Sequence, residues 1–205
     1  MERSVFNIIS FKAKHPRFYL TWITAVLIAF FGRTTDYGFT LGVPIVVMGE
    51  FVRVWSQGSI RKKIRLSDSG PYAYTRNPLY LGNFLIGLGF VTIFSNLFLT
   101  AIYLVGFYFV YNNTIKKEEE YLSGAYGQIF ADYCSAVPRF FPSIRPYAKR
   151  SGYAFDFSLL LHHGEPITIC ALVLLCLALY LRQEWYQAGN GFMSSHGGLF
   201  YSAVA

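Results

Sequence analysis

The residues with chemistry to offer fall into two polar stretches. The first, Gly70 to Asn83, reads GPYAYTRNPLYLGN and follows the basic run Arg61-Lys62-Lys63. Gly70-Pro71 reads as a turn, since proline fixes φ and glycine accepts unusual values of it. Asn77-Pro78 biases Asn77 away from helix and sets Pro78 in the first turn of a helix. Asn77 then stands at the N-cap and Arg76 at the positive end of the helix. Helix N-termini and arginine both favour anions. Tyr80 and Asn83, three residues apart, share a helix face. The stretch predicts a small anionic or polar group held at a helix start. An interfacial anchor, with tyrosines in an aromatic belt and Arg76 on lipid phosphate, accounts for the same residues.

The second stretch, Lys116 to Pro142, reads KKEEEYLSGAYGQIFADYCSAVPRFFP. Glu118, Glu119 and Glu120 are adjacent, so at most two can face one site if the segment is helical. They read either as a solvated helical stem, with Lys116 and Glu120 as an i,i+4 pair, or as carboxylates that bind hydroxyl or ammonium groups. Tyr126-Gly127 and Tyr133 follow. The stretch closes on Val137-Pro138-Arg139-Phe140-Phe141-Pro142, an aromatic and basic segment suited to a return to the membrane surface.

Other polar groups carry less. Glu50 and Arg53 stand at i,i+3 inside an apolar segment, where an ionisable residue is a functional candidate and a structural ion pair is an equally simple account. His162-His163-x-Glu165 is too crowded for three side chains to converge on one ion, and no metal is assigned. Cys134, Cys170 and Cys176 have no metal-ligand spacing and form no disulfide framework. His15 and His196 are isolated.

The elements that must position these groups are apolar helices. Of the 205 residues, 54% are hydrophobic and only 14% charged, against about a quarter charged in soluble domains. Mean hydropathy is +0.36. Five apolar segments stand out: 18–31, 37–55, 79–94, 97–111 and 166–181. Several are short of the roughly 20 residues that cross a bilayer core, so flanking residues must complete them. Backbone groups cannot go unpaired in lipid, and no strand-period pattern for a barrel is present, so each segment is expected to be helical.

The net charge of +7 reads as topology rather than nucleic-acid binding. Lysines and arginines cluster before the first segment, between the second and third, and between the fourth and fifth. Arg33 and Arg182 fall on the other side. This predicts an all-α, polytopic integral membrane helical bundle of about five transmembrane helices, N-in and C-out. The first segment is expected to remain as an uncleaved span. The turn at Ser95-Asn96 must be tight and lie outside. Residues 143–165 read as a connector along the surface, and the glycine- and serine-rich tail from Gly189 as loosely ordered.

The two polar stretches together resemble the isoprenylcysteine carboxyl methyltransferase family and its phospholipid methyltransferase relatives. Gly70-Pro71-Tyr72 and Arg76-Asn77-Pro78-x-Tyr80-x-Gly82 are similar to one family signature. Glu118-Glu119-x-x-Leu122, Tyr126-Gly127, Tyr133 and Val137-Pro138-Arg139-Phe140 are similar to its paired-glutamate segment and its ending. The likeness covers roughly 40–142. It implies one membrane domain over 1–205, with a methyltransferase-like core at 18–142 followed by a connector, an extra C-terminal helix and a tail.

The resemblance also implies S-adenosylmethionine as cofactor. Tyr72, Asn77, Pro78, Tyr80, Gly82, Asn83, Tyr133 and Phe140 would bind it. Arg76, Glu118, Glu119 and Arg139 would carry catalysis. Asn77 stands where the family usually has histidine, and asparagine cannot act as a base near neutral pH. The implied acceptor is lipophilic, a prenylcysteine-like carboxylate or a lipid head group reached from the bilayer. The implied setting is the cytoplasmic face of a prokaryotic inner membrane, among membrane lipids. The sequence does not define an oligomeric state. The Tyr133-Cys134-x-x-Val137-Pro138 run also resembles NADPH-dependent sterol-type reductases, and a non-enzymatic scaffold is the third reading. The glutamate pair and the short chain favour the methyltransferase.

Overall fold

The computed structural model describes residues 34–60, 66–152 and 154–201. The expected first span, 18–31, and the basic residues Arg61, Lys62, Lys63 and Arg65 lie outside them. The described residues are helical and contain no strand. Among the described residues, three helices are long and apolar enough to cross a membrane: Asp36–Ser59, Leu97–Tyr126 and the Glu165–Ala188 part of the last helix.

Helix α1, Asp36–Ser59, starts where Thr35 accepts a hydrogen bond from Gly38 N at 2.9 Å, with Asp36 in the first turn. After it, the 3₁₀ turn Gly70–Ala73 opens on Gly70 at φ +60°, a left-handed value that only glycine adopts without strain. Helix α2, Pro78–Ile93, has 16 residues. It is apolar but below the ~17 residues that span a bilayer upright. The tight turn expected at Ser95-Asn96 is present. Asn96 caps helix α3, Leu97–Tyr126, by accepting from Phe98 N and Leu99 N at 3.0 and 3.1 Å.

Helix α3 runs 30 residues, well past the apolar segment that ends at Tyr111. The glutamates therefore ride on a rigid extension of a long helix. Gly127, at φ +51°, ends it and starts the short helix α4, Gln128–Ala136. Helix α5 is Phe157–His162. Helix α6, Glu165–Tyr201, carries the tail residues as helix where loose order was expected. No proline follows Pro166, so nothing in the sequence breaks the hydrogen-bond ladder.

Helices α1 and α2 pack antiparallel through glycine. A Cβ on Gly49 would lie 2.7 Å from Ile86 N, and one on Gly89 would lie 2.7 Å from both Gly42 O and Val46 N. Backbones approach this closely only where side chains are absent, the small-residue packing of membrane helices. Helix α6 runs antiparallel to α1. Phe39 and Tyr180 meet edge to face at 6.0 Å, Gln183 donates to Asp36, and Glu165 reaches Arg53 at the other end.

A small core of Leu66, Phe130, Tyr133 and Val137 forms beyond the apolar helices. The 143–156 connector is stitched to this end of the bundle. Tyr147 N donates to Ala73 O at 2.8 Å, Ser151 N to the Asp68 carboxylate at 3.1 Å, and Asp156 N to Gly58 O at 2.9 Å. Irregular backbone needs such partners, and here each segment satisfies the other.

Candidate functional site

The two polar stretches meet. Neither is regular where they touch, so they pair through backbone and side chain. Arg76 N donates to Pro138 O at 3.0 Å and Ser143 N to Tyr74 O at 2.9 Å. Thr75 Oγ1 donates to Phe140 O at 2.9 Å. Asn77 occupies the N-cap position of α2, but its side chain does not cap the helix. Its Nδ2 donates instead to Arg139 O at 2.8 Å. Pro78, at the first helical position, has no N–H to satisfy. The asparagine amide is thereby free to hold the second stretch.

At the centre, Glu119 lies between two arginines. Its Oε1 is 3.3 Å from Arg76 Nη2, and its Oε2 is 3.1 Å from Arg139 Nε. Arg139 Nη1 also donates to Asn112 Oδ1 at 2.9 Å. The three charged groups carry one surplus positive charge. Glu118 turns to the neighbouring side and accepts from Tyr80 OH at 2.9 Å. The sequence allowed at most two of the three glutamates to face one site, and Glu118 and Glu119 make these contacts.

Tyrosines brace the floor. Tyr133 OH donates to Tyr72 O at 2.6 Å. Burial pushes both phenols above their ordinary range. The Glu118 charge adds to the rise at Tyr72. The Asp68 charge adds to it at Tyr133, and Arg76 opposes it there. Both therefore remain protonated at neutral pH, and Tyr133 keeps its donor.

An aromatic wall runs from this site down between α2 and α3. Tyr80 meets Tyr111 edge to face at 5.3 Å, and Tyr111 stacks on Phe107 at 4.1 Å. Phe140 closes on Phe84 and Phe107 at 5.8 and 5.9 Å. On the other side, an open cleft of about 340 Å³ is lined by Arg76, Lys116, Glu119, Glu120, Ser123, Phe130 and Cys134.

Of the residues singled out in the sequence, Arg76, Asn77, Tyr80, Glu118, Glu119, Arg139 and Phe140 converge, with Pro78, Tyr72 and Tyr133 supporting them. Gly82 and Asn83 turn to α1 instead. A Cβ on Gly82 would lie 2.6 Å from Arg53 Cγ, and Asn83 Oδ1 accepts from Arg53 Nη1. The Glu50–Arg53 ion pair is formed, with Nε to Oε2 at 3.3 Å, and it has a third member, since Arg53 Nη2 lies 3.0 Å from Glu165 Oε2. Two contributors escaped the sequence reading. Asn112 lies seven residues before Glu119, two helical turns up the same face, and that spacing was the available signal. Thr75 carried none.

With this geometry in view, comparison with known proteins is direct. Residues 41–124 match the isoprenylcysteine carboxyl methyltransferase (ICMT) family, a span that takes in the first motif and the glutamate pair of the second. The chain is 32% identical over 148 residues to the cobalt-zinc-cadmium resistance protein CzcN of Cupriavidus metallidurans, covering 70% of this chain and 62% of the relative. It is 33% identical over 143 residues to the nickel-cobalt-cadmium resistance protein NccN of Alcaligenes xylosoxydans xylosoxydans, covering 68% and 61%. A shorter match, 32% over 79 residues, is to the protein-S-isoprenylcysteine O-methyltransferase of Schizosaccharomyces pombe, covering 38% and 34%. The chain thus spans less than two thirds of the length of each of these relatives.

Proposed function

We propose that this chain is an integral membrane methyltransferase that uses S-adenosylmethionine and methylates a lipophilic acceptor at the cytoplasmic face of a prokaryotic inner membrane. The acceptor is a prenylcysteine-like carboxylate or a lipid head group. The observation that carries this reading is Glu119 between Arg76 and Arg139, which joins the two family-like motifs in one charged centre.

The residues fit the cofactor. Arg76 Nε is buried and has no hydrogen-bond acceptor, so a donor awaits a polar or anionic group. The surplus positive charge suits a carboxylate. The open cleft adjoins this centre at Arg76 and Glu119. Arg76, Arg139 and Asn77 would hold polar groups of the cofactor, and the faces of Tyr80 and Phe140 would lie beside its cationic part. When bound, the sulfonium supplies an activated methyl group with a good leaving group.

What the chain contributes is then placement and exclusion of water. A carboxylate acceptor is already ionised and pairs with Arg76 or Arg139, so Asn77 needs no basic function. An amine acceptor must first lose a proton, and Glu118, hydrogen-bonded to Tyr80, is the carboxylate to receive it. The aromatic wall between α2 and α3 offers a lipophilic chain a path from the bilayer toward Phe140.

The test is a titration of purified protein in nanodiscs with S-adenosylmethionine and, separately, with NADPH. Saturable binding of S-adenosylmethionine that weakens in Arg139→Ala is expected. Binding of NADPH alone would put the sterol-type reductase in its place. The names of two relatives make growth under cobalt or cadmium stress the physiological condition in which to look for the methylated product.

A further inference from the structure

Helix α6 lies outside the segment that matches the ICMT family, yet it inserts one fully buried carboxylate into the helices that carry the site. Glu165 is 1% exposed, at the first residue of α6. Its Oε2 lies 3.0 Å from Arg53 Nη2 on α1. Arg53 also pairs with Glu50 on its own helix, so two carboxylates face one guanidinium. Glu165 Oε1 and both Glu50 oxygens lack hydrogen-bond donors. An arrangement of this kind is a poor source of stability, because a well-packed apolar side chain commonly does as well or better than a buried charge.

The network leads to the site. Arg53 Nη1 donates to the Asn83 side chain on α2. The main chain of α2 is held from the other side by α3, where Tyr103 OH donates to Phe84 O at 2.8 Å. Asn83 shares a helix face with Tyr80, which binds Glu118, and the same helix begins at Asn77, which binds Arg139 O. Arg53 therefore has three fixed directions, toward α1, α2 and α6. Its fork is planar and rigid, so the contacts on one edge help to set where the other edge points.

We infer that Glu165 is a positioning residue. By holding the Nη2 edge of Arg53, it fixes the hydrogen bond from Arg53 to Asn83 and with it the placement of the first turns of α2 at the Arg76–Glu119–Arg139 centre. As a role in catalysis this rests on the methyltransferase reading. As a role in site geometry it does not.

The experiment uses the full chain in nanodiscs with Cys170→Ala and Cys176→Ala, leaving Cys134 in the cleft as a reporter that needs no cofactor. Three variants are compared. Glu165→Leu removes the contact with Arg53 while keeping an apolar side chain of similar length. Glu165→Gln keeps an acceptor for Arg53. Gln183→Ala removes one polar contact of α6 with Asp36, which Gln187 also approaches, far from the site. Glu165→Leu is expected to keep the parent melting temperature or raise it, and to change the rate of Cys134 alkylation by N-ethylmaleimide several-fold. S-adenosylmethionine affinity should fall by roughly tenfold or more. Glu165→Gln and Gln183→Ala should stay close to the parent in alkylation rate. An unchanged alkylation rate in Glu165→Leu, or an equal change in Gln183→Ala, overturns the inference. Absence of S-adenosylmethionine binding in the parent protein rejects the function proposed above, and the alkylation rates still decide the role of Glu165.

Discussion

Arg139 Nε lies 3.1 Å from Glu119 Oε2, and this contact ties the loop after α4 to the extended end of α3. The other Glu119 oxygen faces Arg76. Glu119→Ala would leave two guanidinium groups facing one another without a counter-charge. The side chain is 22% exposed, so water offsets part of the loss. The expected cost is about 1–3 kcal/mol of stability, with at least about a tenfold loss of S-adenosylmethionine affinity, since that ratio corresponds to about 1.4 kcal/mol. Glu119→Gln should fall between the two. Thermal unfolding and ligand titration on the same preparations check both.

Asn77 tests the role of a residue where the family usually has histidine. Its amide N–H donates to a backbone carbonyl. Asn77→Asp removes the donor and sets a charge against that oxygen, so it should lose more binding than Asn77→Ala, which merely leaves a carbonyl unpaired at about 1–3 kcal/mol. Asn77→His can still donate and should retain binding best of the three. Equal losses in Asn77→Asp and Asn77→His would mean that the hydrogen bond to Arg139 O does not matter.

The Glu50–Arg53–Glu165 group predicts strong non-additivity. Glu50→Gln or Glu165→Gln alone leaves one carboxylate for one arginine, and each should change stability by less than about 1 kcal/mol. Together they leave a buried guanidinium with no counter-charge, a loss of about 3–5 kcal/mol. A double-mutant cycle on chemical unfolding should give a coupling of about 1–5 kcal/mol, the double loss less the two single effects.

Glycines separate packing from exposure. Gly49→Ala puts a methyl group against the backbone of Ile86 and Gly82 and should cost about 1–3 kcal/mol. Gly106→Ala, on α3, meets nothing within 4 Å. It should be neutral or stabilising by roughly 0.5–1 kcal/mol. Melting temperatures of the two variants should move in opposite directions or differ by several degrees.

Tyr133 gives the pH dependence. Burial raises its folded-state pKa above the ordinary value near 10.0, with Tyr72 shifted the same way. A raised pKa means that the contribution is fully present below about pH 10, where the unfolded phenol titrates, and is lost as pH rises beyond that. Stability from this source should be flat between about pH 6 and 9 and fall above about 10. Tyr133→Phe should cost about 1–3 kcal/mol at neutral pH, from the unpaired Tyr72 carbonyl, and should make the alkaline fall shallower. The pH dependence of the melting temperature measures both.

Much of the helical frame could be read from the chain because it depends on local rules. Apolar runs 37–55, 97–111 and 166–181 lie within long helices, Pro78 opens α2, and Ser95-Asn96 makes the turn. Membrane helices must satisfy their backbone internally, so composition and punctuation determine where they occur. The two polar segments that meet were equally conspicuous, since their residue types are unusual for either a loop or an apolar helix. Serine and glycine in the tail weaken a helix without forbidding it, and the residues up to Tyr201 are helical.

Tertiary structure alone decided which groups meet. Helical periodicity places Asn83 and Tyr80 on one face, but it cannot say that Arg53 on α1 will claim Asn83 while Glu118 on α3 takes Tyr80. Asn77 looked like a helix cap, and its amide instead binds a carbonyl 62 residues away. Glu165, read with two neighbouring histidines, serves an arginine 112 residues earlier. The physical reason is common to all three. A polar side chain removed from water takes the nearest complementary group in space, and that neighbour is set by how glycine faces, prolines and loop backbones bring the helices together.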